Sequence, residues 1–273
     1  MGNRYDEIFP HPSTPSSFAK QSINKVNSTV SSNNWFIRPL PNEKAKTRFF
    51  LFPYAGGGPA VFGKWLTEFG NHIEAFIAHY PGRGSRHNEP PIHEIDTLVE
   101  RLAQAIQPYL DKPFVFFGHS FGGLVAFELA RQIQPQILFI SGCGAPHHSN
   151  PHPPIHHLPD PEFARALKEL NGIPPEVADN SELMELLIPM LRADFEAFEG
   201  YQPNAHQLTC PIIAFGGLGD LRIGREQLEG WKIHTTADFR SQYFSGDHFF
   251  IQAGKTDIIT AINFELTSTH AGR

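Results

Sequence analysis

The sequence contains only two cysteines, Cys143 and Cys210, in 273 residues. Both lie beside apolar runs, and no paired-cysteine spacing is present, so we expect two buried thiols rather than a disulfide or a zinc site. This sparing use of cysteine is typical of a reducing compartment. We therefore expect a cytoplasmic protein.

The chain also lacks an excess of positive charge and any long apolar run. A net charge of −6 provides no basic field for nucleic acid. No stretch reaches the roughly 18 apolar residues that cross a bilayer, and Gly2 does not begin a myristoylation signal, because Asp6 stands where that signal takes Ser or Thr. We expect a soluble protein that binds neither nucleic acid nor a membrane.

A large apolar fraction is present instead. Hydrophobic residues make up 40% of the chain and charged residues 18%, which is enough to bury a large core and excludes a wholly fibrous or disordered chain. The first 33 residues are rich in Ser, Asn and Pro and contain no secretory apolar segment. This composition predicts a flexible tail over 1–33 and a folded domain over 34–273.

Strand-like and helix-like segments alternate through the folded part, which predicts an α/β fold with a mostly parallel sheet flanked by helices. The predicted strands are TRFFLFP, EAFIAHYP, PFVFFG, QILFISG, PIIAFGG and FRSQYFSG. The predicted helices are roughly 59–69, 93–110, 121–133, 160–170, 182–199, 223–232 and 256–266. Between about 146 and 200 two helical patterns follow one another without a strand, which predicts a helical lid inserted over one edge of the sheet.

One serine lies where a strand pattern changes directly into a helical pattern, in FVFFGHSFGGLVAFELA. Gly118 and Gly122 complete a G-x-S-x-G motif around it, and their small size lets strand and helix pass closely while Ser120 is held in a strained, projecting conformation. The motif predicts that Ser120 is a nucleophile. The alternative is an ordinary turn in which the serine caps the helix.

A nucleophilic serine needs a base and an acid, which follow it in the order acid, then histidine, in this architecture. His248 in SGDHFF follows the last predicted strand, so we expect it to be the base, with an ordinary loop histidine as the alternative. Asp220 follows PIIAFGG at a strand end. We prefer it to Asp247 as the acid, because a residue adjacent to the histidine projects away from it.

The glycine-rich segment FPYAGGG follows the first predicted strand of the sheet. Its backbone can approach a carbonyl oxygen closely, so we assign one oxyanion donor to the Ala55 N–H and the other to the Phe121 N–H. A phosphate-binding loop is disfavoured because neither the Walker lysine nor the dinucleotide spacing is present.

The chain resembles the stand-alone type II thioesterases of nonribosomal peptide and polyketide synthases over about 48–262. The segments that carry the resemblance are FPYAGGG, YPGRGSR, GHSFGG, PPIHHLPD, LRADFEAFEGY, FGGLGD and GDHFF. It implies an α/β-hydrolase fold with a helical lid and hydrolysis of acyl or aminoacyl thioesters on the phosphopantetheine arm of carrier proteins, which clears stalled or misprimed synthases. It also implies the same Ser120, Asp220 and His248 triad, the same two oxyanion donors, and no metal or organic cofactor. The long N-terminal tail departs from the family pattern.

Three further segments suggest substrate or partner contacts. PGRGSR presents Arg83 and Arg86 on a glycine-rich loop suited to a phosphate or an acidic carrier protein, with a solvated loop as the alternative. APHHSNPHPPIHH contains five histidines, but four prolines interrupt it and no acidic or cysteine partner is present, so we expect a connector into the lid rather than a metal site. LRADFEAFEGY predicts a helix that packs on its own core. The candidates for lining an acyl channel are Tyr54, Phe195, Phe198 and Tyr201.

The triad alone does not separate a thioesterase from a carboxylesterase, a lipase or an acyltransferase of the same fold, because all of them form an acyl-serine. A noncatalytic binding protein of this fold is disfavoured by the retained nucleophile, acid, base and glycine-rich loop. An apolar lid separates acyl chains by only about 1–3 kcal/mol per methylene, so we expect broad acyl specificity. We also expect a monomer.

Overall fold

The computed structural model describes residues 34–148, 152–170, 173, 177, 179–203 and 206–271. The tail predicted over residues 1–33 lies outside the described residues.

The described strands form one seven-stranded sheet in the order β1-β3-β2-β4-β5-β6-β7. Their bounds are β1 Phe36–Ile37, β2 Thr47–Phe52, β3 Ile73–Ala78, β4 Phe114–His119, β5 Leu138–Ser141, β6 Ile212–Gly217 and β7 Phe239–Phe244. β1 pairs antiparallel with β3, and every other pair is parallel. The predicted mostly parallel sheet is confirmed, and β1 is an additional edge strand of two residues that is too short for a periodic signal.

Helices cover both faces of this sheet. Their bounds are α1 Ile95–Ile106, α2 Phe121–Gln132, α3 Asp160–Glu169, α4 Ser181–Glu199, α5 Arg225–Glu229, α6 Phe250–Ala253 and α7 Lys255–Ala271. The α-helix predicted over 59–69 is instead a 3₁₀ helix, Pro59–Trp65. Its sequence contains Gly63, and glycine disfavours a regular α-helix.

The core consists of two apolar layers on opposite faces of the sheet. All six residues of β2 are buried, as expected for a central strand of a parallel sheet covered on both faces. Phe50 and Phe52 belong to the layer that includes residues of α1 and α2, whereas Phe49 and Leu51 belong to the layer that includes residues of α7.

The chain between β5 and β6 carries α3 and α4, which pack on a third apolar cluster of their own. The Asn180 side chain caps α4 by accepting a hydrogen bond from the Leu183 N–H at 3.0 Å. The buried members of the cluster are Ile155, Phe163, Leu167, Ile173, Met184, Ile188, Met190, Leu191 and Phe195. We call α3, α4 and their described flanking residues the helical insertion.

None of the helices in the described part of the chain combines the length and hydropathy needed to span a membrane.

Candidate active site

Ser120 lies at the turn from β4 into α2 and has backbone angles of φ +53° and ψ −121°. Among the described residues it is the only non-glycine residue with a positive φ. Its own N–H donates to the Ser141 carbonyl at 2.7 Å, and its carbonyl accepts from the Gly123 N–H at 2.8 Å. These bonds hold the strained backbone in place at the end of β4, where Ser120 lines two pockets.

The two glycines of the motif lie where no side chain fits. A Cβ atom on Gly118 would lie 2.0 Å from the Gly122 carbonyl oxygen. A Cβ atom on Gly122 would lie 2.1 Å from the Phe52 carbonyl oxygen in β2. Both obstacles are backbone atoms, so the sharp turn requires glycine at both positions.

We expect Gly122→Ala to lower the free energy of unfolding by at least about 1–3 kcal/mol, because the backbone of β2 must shift to admit the methyl group. Urea unfolding followed by circular dichroism measures this change. Gly58→Ala is the matched control, since its Cβ would meet nothing closer than the Arg83 Cγ at 3.9 Å. It should change stability by no more than about 1 kcal/mol. Equal losses in both variants would contradict the steric argument.

Ser120, His248 and Asp220 form a continuous hydrogen-bonded chain. The His248 Nε2 lies 3.0 Å from the Ser120 Oγ, and its Nδ1 lies 2.8 Å from the Asp220 Oδ2. Because the carboxylate only accepts hydrogen bonds, the imidazole carries its proton on Nδ1 and accepts the serine proton at Nε2. The geometry matches that of a serine nucleophile, its base and the acid that orients the base.

Asp220 is the carboxylate that the fold brings to the histidine. Its other oxygen accepts hydrogen bonds from the Arg222 N–H at 2.8 Å and the Ile223 N–H at 3.3 Å. The Asp247 carboxylate instead accepts from the Phe249 N–H at 2.8 Å, within its own turn. The backbone bonds therefore fix Asp220, whereas Asp247 caps the turn that leads into α6.

The surroundings of the dyad favour a neutral histidine next to an ionised acid. Burial lowers the pKa of His248 from its ordinary value of 6.5, and the nearby positive charge of Arg222 lowers it further. The hydrogen bond to Asp220 acts in the opposite direction and raises this pKa. Burial alone would raise the pKa of Asp220, but the bonds from His248 and from the two backbone N–H groups hold it below its ordinary value. Near neutral pH His248 is therefore ready to accept a proton.

The lowered His248 pKa predicts that the acid limb of the kcat/KM profile lies below pH 6.5. The sign follows because only the neutral imidazole accepts the Ser120 proton, and a lowered pKa keeps it neutral at more acidic pH. Initial rates over a pH series measure this limb. Arg222→Gln removes a nearby positive charge and should move the limb to higher pH. A wild-type limb above 6.5, or one that Arg222→Gln moves downward, would contradict the prediction.

His119, the residue before Ser120 in the G-x-S-x-G motif, lies against the His248 ring. It is fully buried, its Nδ1 is 3.0 Å from the Ser141 Oγ, and its ring centroid is 5.3 Å from that of His248. Burial keeps the pKa of His119 well below its ordinary value. The neutral His119 ring therefore packs against His248. Sequence reasoning did not single out His119, although it lies inside the motif.

A small pocket beside Ser120 brings the predicted oxyanion donors together. Ala55 and Phe121 both line it. Within the described residues neither of their backbone N–H groups takes part in a hydrogen bond. Phe121 is also the first residue of α2, where the helix dipole favours negative charge. The residues that complete the pocket wall are Tyr54, Phe195, Phe198, Arg222, His248 and Phe249.

A larger cavity of about 470 Å³ opens next to Ser120 and His248. Two of the predicted channel residues, Phe198 and Tyr201, line it, and the Tyr201 hydroxyl donates to Glu128. Its polar lining residues include His147, His148, His152, Glu199, Arg222 and Gln227. Sequence reasoning assigned the histidines only to a connector and so missed this polar wall.

The expectation that Arg83 and Arg86 contact a carrier protein is not met by their positions. Both are buried, with 5% and 6% exposure. Arg83 forms a two-pronged ion pair with Asp194, while Arg86 binds Glu89 and the His79 carbonyl and packs over Trp35. Their charges are satisfied inside the fold, so neither guanidinium is available to a docking partner.

Other polar clusters show no metal-ligand arrangement. In the described part of the chain no group of three or more His, Cys, Asp or Glu side chains is placed to hold a metal ion. Within the predicted connector, His147 is hydrogen-bonded to His234 at 2.9 Å. Cys143 and Cys210 are both buried and unpaired, as predicted. Burial raises the pKa of the Cys143 thiol to about 12, so this thiol is not a nucleophile at neutral pH.

A family model described as a thioesterase domain matches residues 47–266. The curated relatives include the gramicidin S biosynthesis protein GrsT of Aneurinibacillus migulanus, which is 41% identical over 83% of this chain and 91% of its own length. They also include a protein of Brevibacillus parabrevis named linear gramicidin dehydrogenase LgrE, 38% identical over 89% of this chain and 96% of its own length. Among solved structures, YbtT, a type II thioesterase from the yersiniabactin NRPS/PKS biosynthetic pathway, is 30% identical and superposes with a TM-score of 0.75 over 84% of this chain and 96% of its own.

Proposed function

The chain belongs to the thioesterase family, and we propose that Ser120, Asp220 and His248 are the triad through which it hydrolyses thioesters. It is an α/β-hydrolase-fold thioesterase of nonribosomal peptide or polyketide biosynthesis. Its substrates are acyl or aminoacyl groups on the phosphopantetheine arm of synthase carrier proteins, and their removal is an editing reaction. The hydrogen-bonded chain from Asp220 through His248 to Ser120 is the observation that carries this proposal.

The first half of the reaction acylates the serine. His248 accepts the Ser120 proton at Nε2 while the Oγ attacks the thioester carbonyl carbon. The Ala55 and Phe121 N–H groups stabilise the resulting oxyanion. When the carbon–sulfur bond breaks, the pantetheine thiolate leaves and takes the proton from His248.

The second half returns the enzyme to its starting state. His248 accepts a proton from water, and the hydroxide oxygen attacks the acyl-serine carbonyl carbon. The ester bond breaks, Ser120 regains its proton from His248, and the carboxylic acid leaves. Throughout, Asp220 holds the imidazole in the required tautomer and stabilises its charged form. No step uses a metal or an organic cofactor.

The cavity beside the triad accommodates the acyl group. Its volume of about 470 Å³ is within the usual range of small-molecule sites. Its wall combines rings such as Phe198 and Tyr201 with hydrogen-bonding groups such as Gln227 and Arg222. Such a wall suits acyl groups that carry polar substituents as well as simple alkyl chains.

The dehydrogenase activity in the name of LgrE does not transfer to this chain. The glycines after β2 lack the G-x-G-x-x-G spacing of a dinucleotide site. The space where a Gly56 side chain would lie is occupied by Leu191 of α4. Pyrophosphate binding relies on close approach to such a glycine backbone, and here protein packs against it.

The test is to measure thiol release from an acyl-phosphopantetheinyl carrier protein beside cleavage of the p-nitrophenyl ester of the same acyl group. We expect faster release from the carrier, with both activities lost in Ser120→Ala. Efficient ester cleavage with the carrier thioester left intact would contradict the proposal and indicate a general esterase. We further expect a monomer, and light scattering of the purified protein measures its molar mass. We also expect a cytoplasmic location, which fractionation of the source cells tests.

A further inference from the structure

One buried carboxylate of the helical insertion is hydrogen-bonded to the glycine-rich turn. Asp194 of α4 accepts a hydrogen bond from the Gly56 N–H at 2.7 Å. The same carboxylate accepts two hydrogen bonds from Arg83, at 2.7 and 2.8 Å. The Asp194 and Arg83 side chains are only 2% and 4% exposed, so this ion pair is shielded from solvent. Three segments distant in sequence therefore meet at Asp194.

The turn that Asp194 holds contains the proposed Ala55 donor. The Gly57 N–H donates to the Tyr54 carbonyl at 2.8 Å, and Gly56 has φ +75°. These features are typical of a type II turn, in which the third residue has a positive φ. The peptide between Ala55 and Gly56 can rotate in such a turn, and the bond from the Gly56 N–H to Asp194 fixes its orientation. The Ala55 N–H belongs to the preceding peptide, so this bond positions it by holding the Ala55 backbone angles that join the two peptides.

Arg83 in turn holds Asp194 and the end of the same turn. Its Nε donates to the Pro81 carbonyl at 3.2 Å, and its Nη1 lies 3.4 Å from the Gly57 carbonyl oxygen. The guanidinium also packs over the Tyr80 ring, 5.1 Å from its centroid. With the guanidinium fixed on several sides, Asp194 has a single well-defined position.

We propose that Asp194 is a positioning residue for the oxyanion hole, acting through its hydrogen bond to the Gly56 N–H and held in place by Arg83. The inference rests on the proposed function, because it assigns the Ala55 N–H to the oxyanion. It explains why the segments PGRGSR and LRADFEAFEGY accompany the glycine-rich loop in this sequence. It also means that the position of the Ala55 N–H depends on how α4 packs against the turn.

The catalytic consequence follows from the narrow geometry of oxyanion stabilisation. A donor stabilises the transition state only when it lies about 2.7–3.1 Å from the oxygen that gains charge, and removal of one such donor costs about 10²–10³-fold in kcat. A displaced Ala55 N–H should cost somewhat less, about 10- to 100-fold. Ground-state binding is made by the cavity, so KM should change little.

Two double variants, both without charge at positions 83 and 194, test whether the Gly56 N–H needs a hydrogen-bond acceptor at position 194. Arg83→Met with Asp194→Leu replaces the buried pair by apolar side chains, a change that proteins often tolerate without loss of stability. Arg83→Gln with Asp194→Asn also removes both charges but retains an oxygen that can accept from the Gly56 N–H. Thermal unfolding and circular dichroism establish that both variants fold.

The probe is the acetyl thioester of N-acetylcysteamine, assayed by thiol release. We expect the Met/Leu variant to lose about 10- to 100-fold in kcat with KM within about threefold of wild type. The Gln/Asn variant should retain kcat within about threefold. The inhibition constant of an alkyl boronate, which forms a tetrahedral adduct on Ser120, should rise in the Met/Leu variant in parallel with the loss of kcat/KM.

The neighbouring Arg86 pair is the matched control. Arg86 and Glu89 are in the same loop, but Arg86 donates its hydrogen bonds to Glu89 and to the His79 carbonyl, whereas Arg83 donates to Asp194. Arg86→Met with Glu89→Gln should therefore keep kcat within about threefold.

Different outcomes identify different failures. A folded Met/Leu variant with wild-type kcat and boronate affinity would overturn the positioning role, as would an equal loss in the Gln/Asn variant. Wild-type protein without Ser120-dependent thiol release would instead overturn the proposed function. The wild-type and Ser120→Ala samples in the same assay separate the two cases.

Discussion

Replacing Ser120 by alanine is expected to lower kcat for carrier-bound thioesters by about 10⁴- to 10⁶-fold, as when a serine hydrolase loses its nucleophile. The reason is that we propose the Ser120 Oγ, which lies 3.0 Å from the His248 Nε2, as the atom that attacks the carbonyl. Without it the remaining groups bind substrate and polarise the carbonyl but form no acyl-enzyme. Steady-state thiol release measures the effect.

The fold should be unaffected by this substitution, since alanine removes one oxygen and adds no volume. Thermal unfolding of Ser120→Ala within a few degrees of wild type is the accompanying control. If Ser120→Ala loses both turnover and folding, a Ser120→Cys variant replaces it as the test. The substrate should acylate the thiol of that variant at a rate of its own. The KM of the variant and its covalent labelling then show the role of the side chain at position 120. Turnover retained within tenfold in folded Ser120→Ala would contradict its assignment as nucleophile.

Replacing Asp220 by asparagine is expected to lower kcat by about 10⁴-fold, the loss seen when a triad carboxylate becomes an amide. Asp220 accepts hydrogen bonds from His248 and from the backbone N–H groups of residues 222 and 223. An amide NH₂ facing the His248 Nδ1 favours the tautomer with its proton on Nε2, which cannot accept the serine proton. Presteady-state acylation rates measure the loss at the affected step.

Asp247→Asn is the matched control for Asp220→Asn. Asp247 is adjacent to His248 in sequence, but its carboxylate accepts a hydrogen bond from the Phe249 N–H. The asparagine oxygen can accept the same bond, so kcat should stay within about tenfold of wild type. A loss as large as that in Asp220→Asn would contradict the assignment of the acid, as would near-normal turnover in Asp220→Asn.

The serine turn was readable from the sequence because its constraints are local. Gly118, Ser120 and Gly122 must be adjacent to produce the turn, and the strand before it and the helix after it each have a clear periodicity. The positions of Asp220 and His248 beside Ser120 were readable for a related reason. In a parallel sheet the strand ends meet at one edge, so Asp220 after β6 and His248 after β7 could be placed near Ser120 by topology alone.

The Arg83–Asp194 ion pair was not readable, because its partners are 111 residues apart. Arginine in a glycine-rich loop is a pattern that usually indicates an exposed, adaptable surface. Burial of Arg83 results from the way α4 packs over the loop, which no local pattern encodes. The polar wall of the cavity was missed for the same reason, since His147 and His148 follow β5 whereas Arg222 follows β6.

The most direct test of the account is hydrolysis of an acyl-phosphopantetheinyl carrier protein in H₂¹⁸O, with mass spectrometry of both the carrier and the released acid. We predict that the wild-type protein frees the carrier thiol and that the acid gains one ¹⁸O atom, and that Ser120→Ala produces neither change. Freed thiol with the acyl group attached to an amine or alcohol, or acid formed equally well by Ser120→Ala, would contradict it.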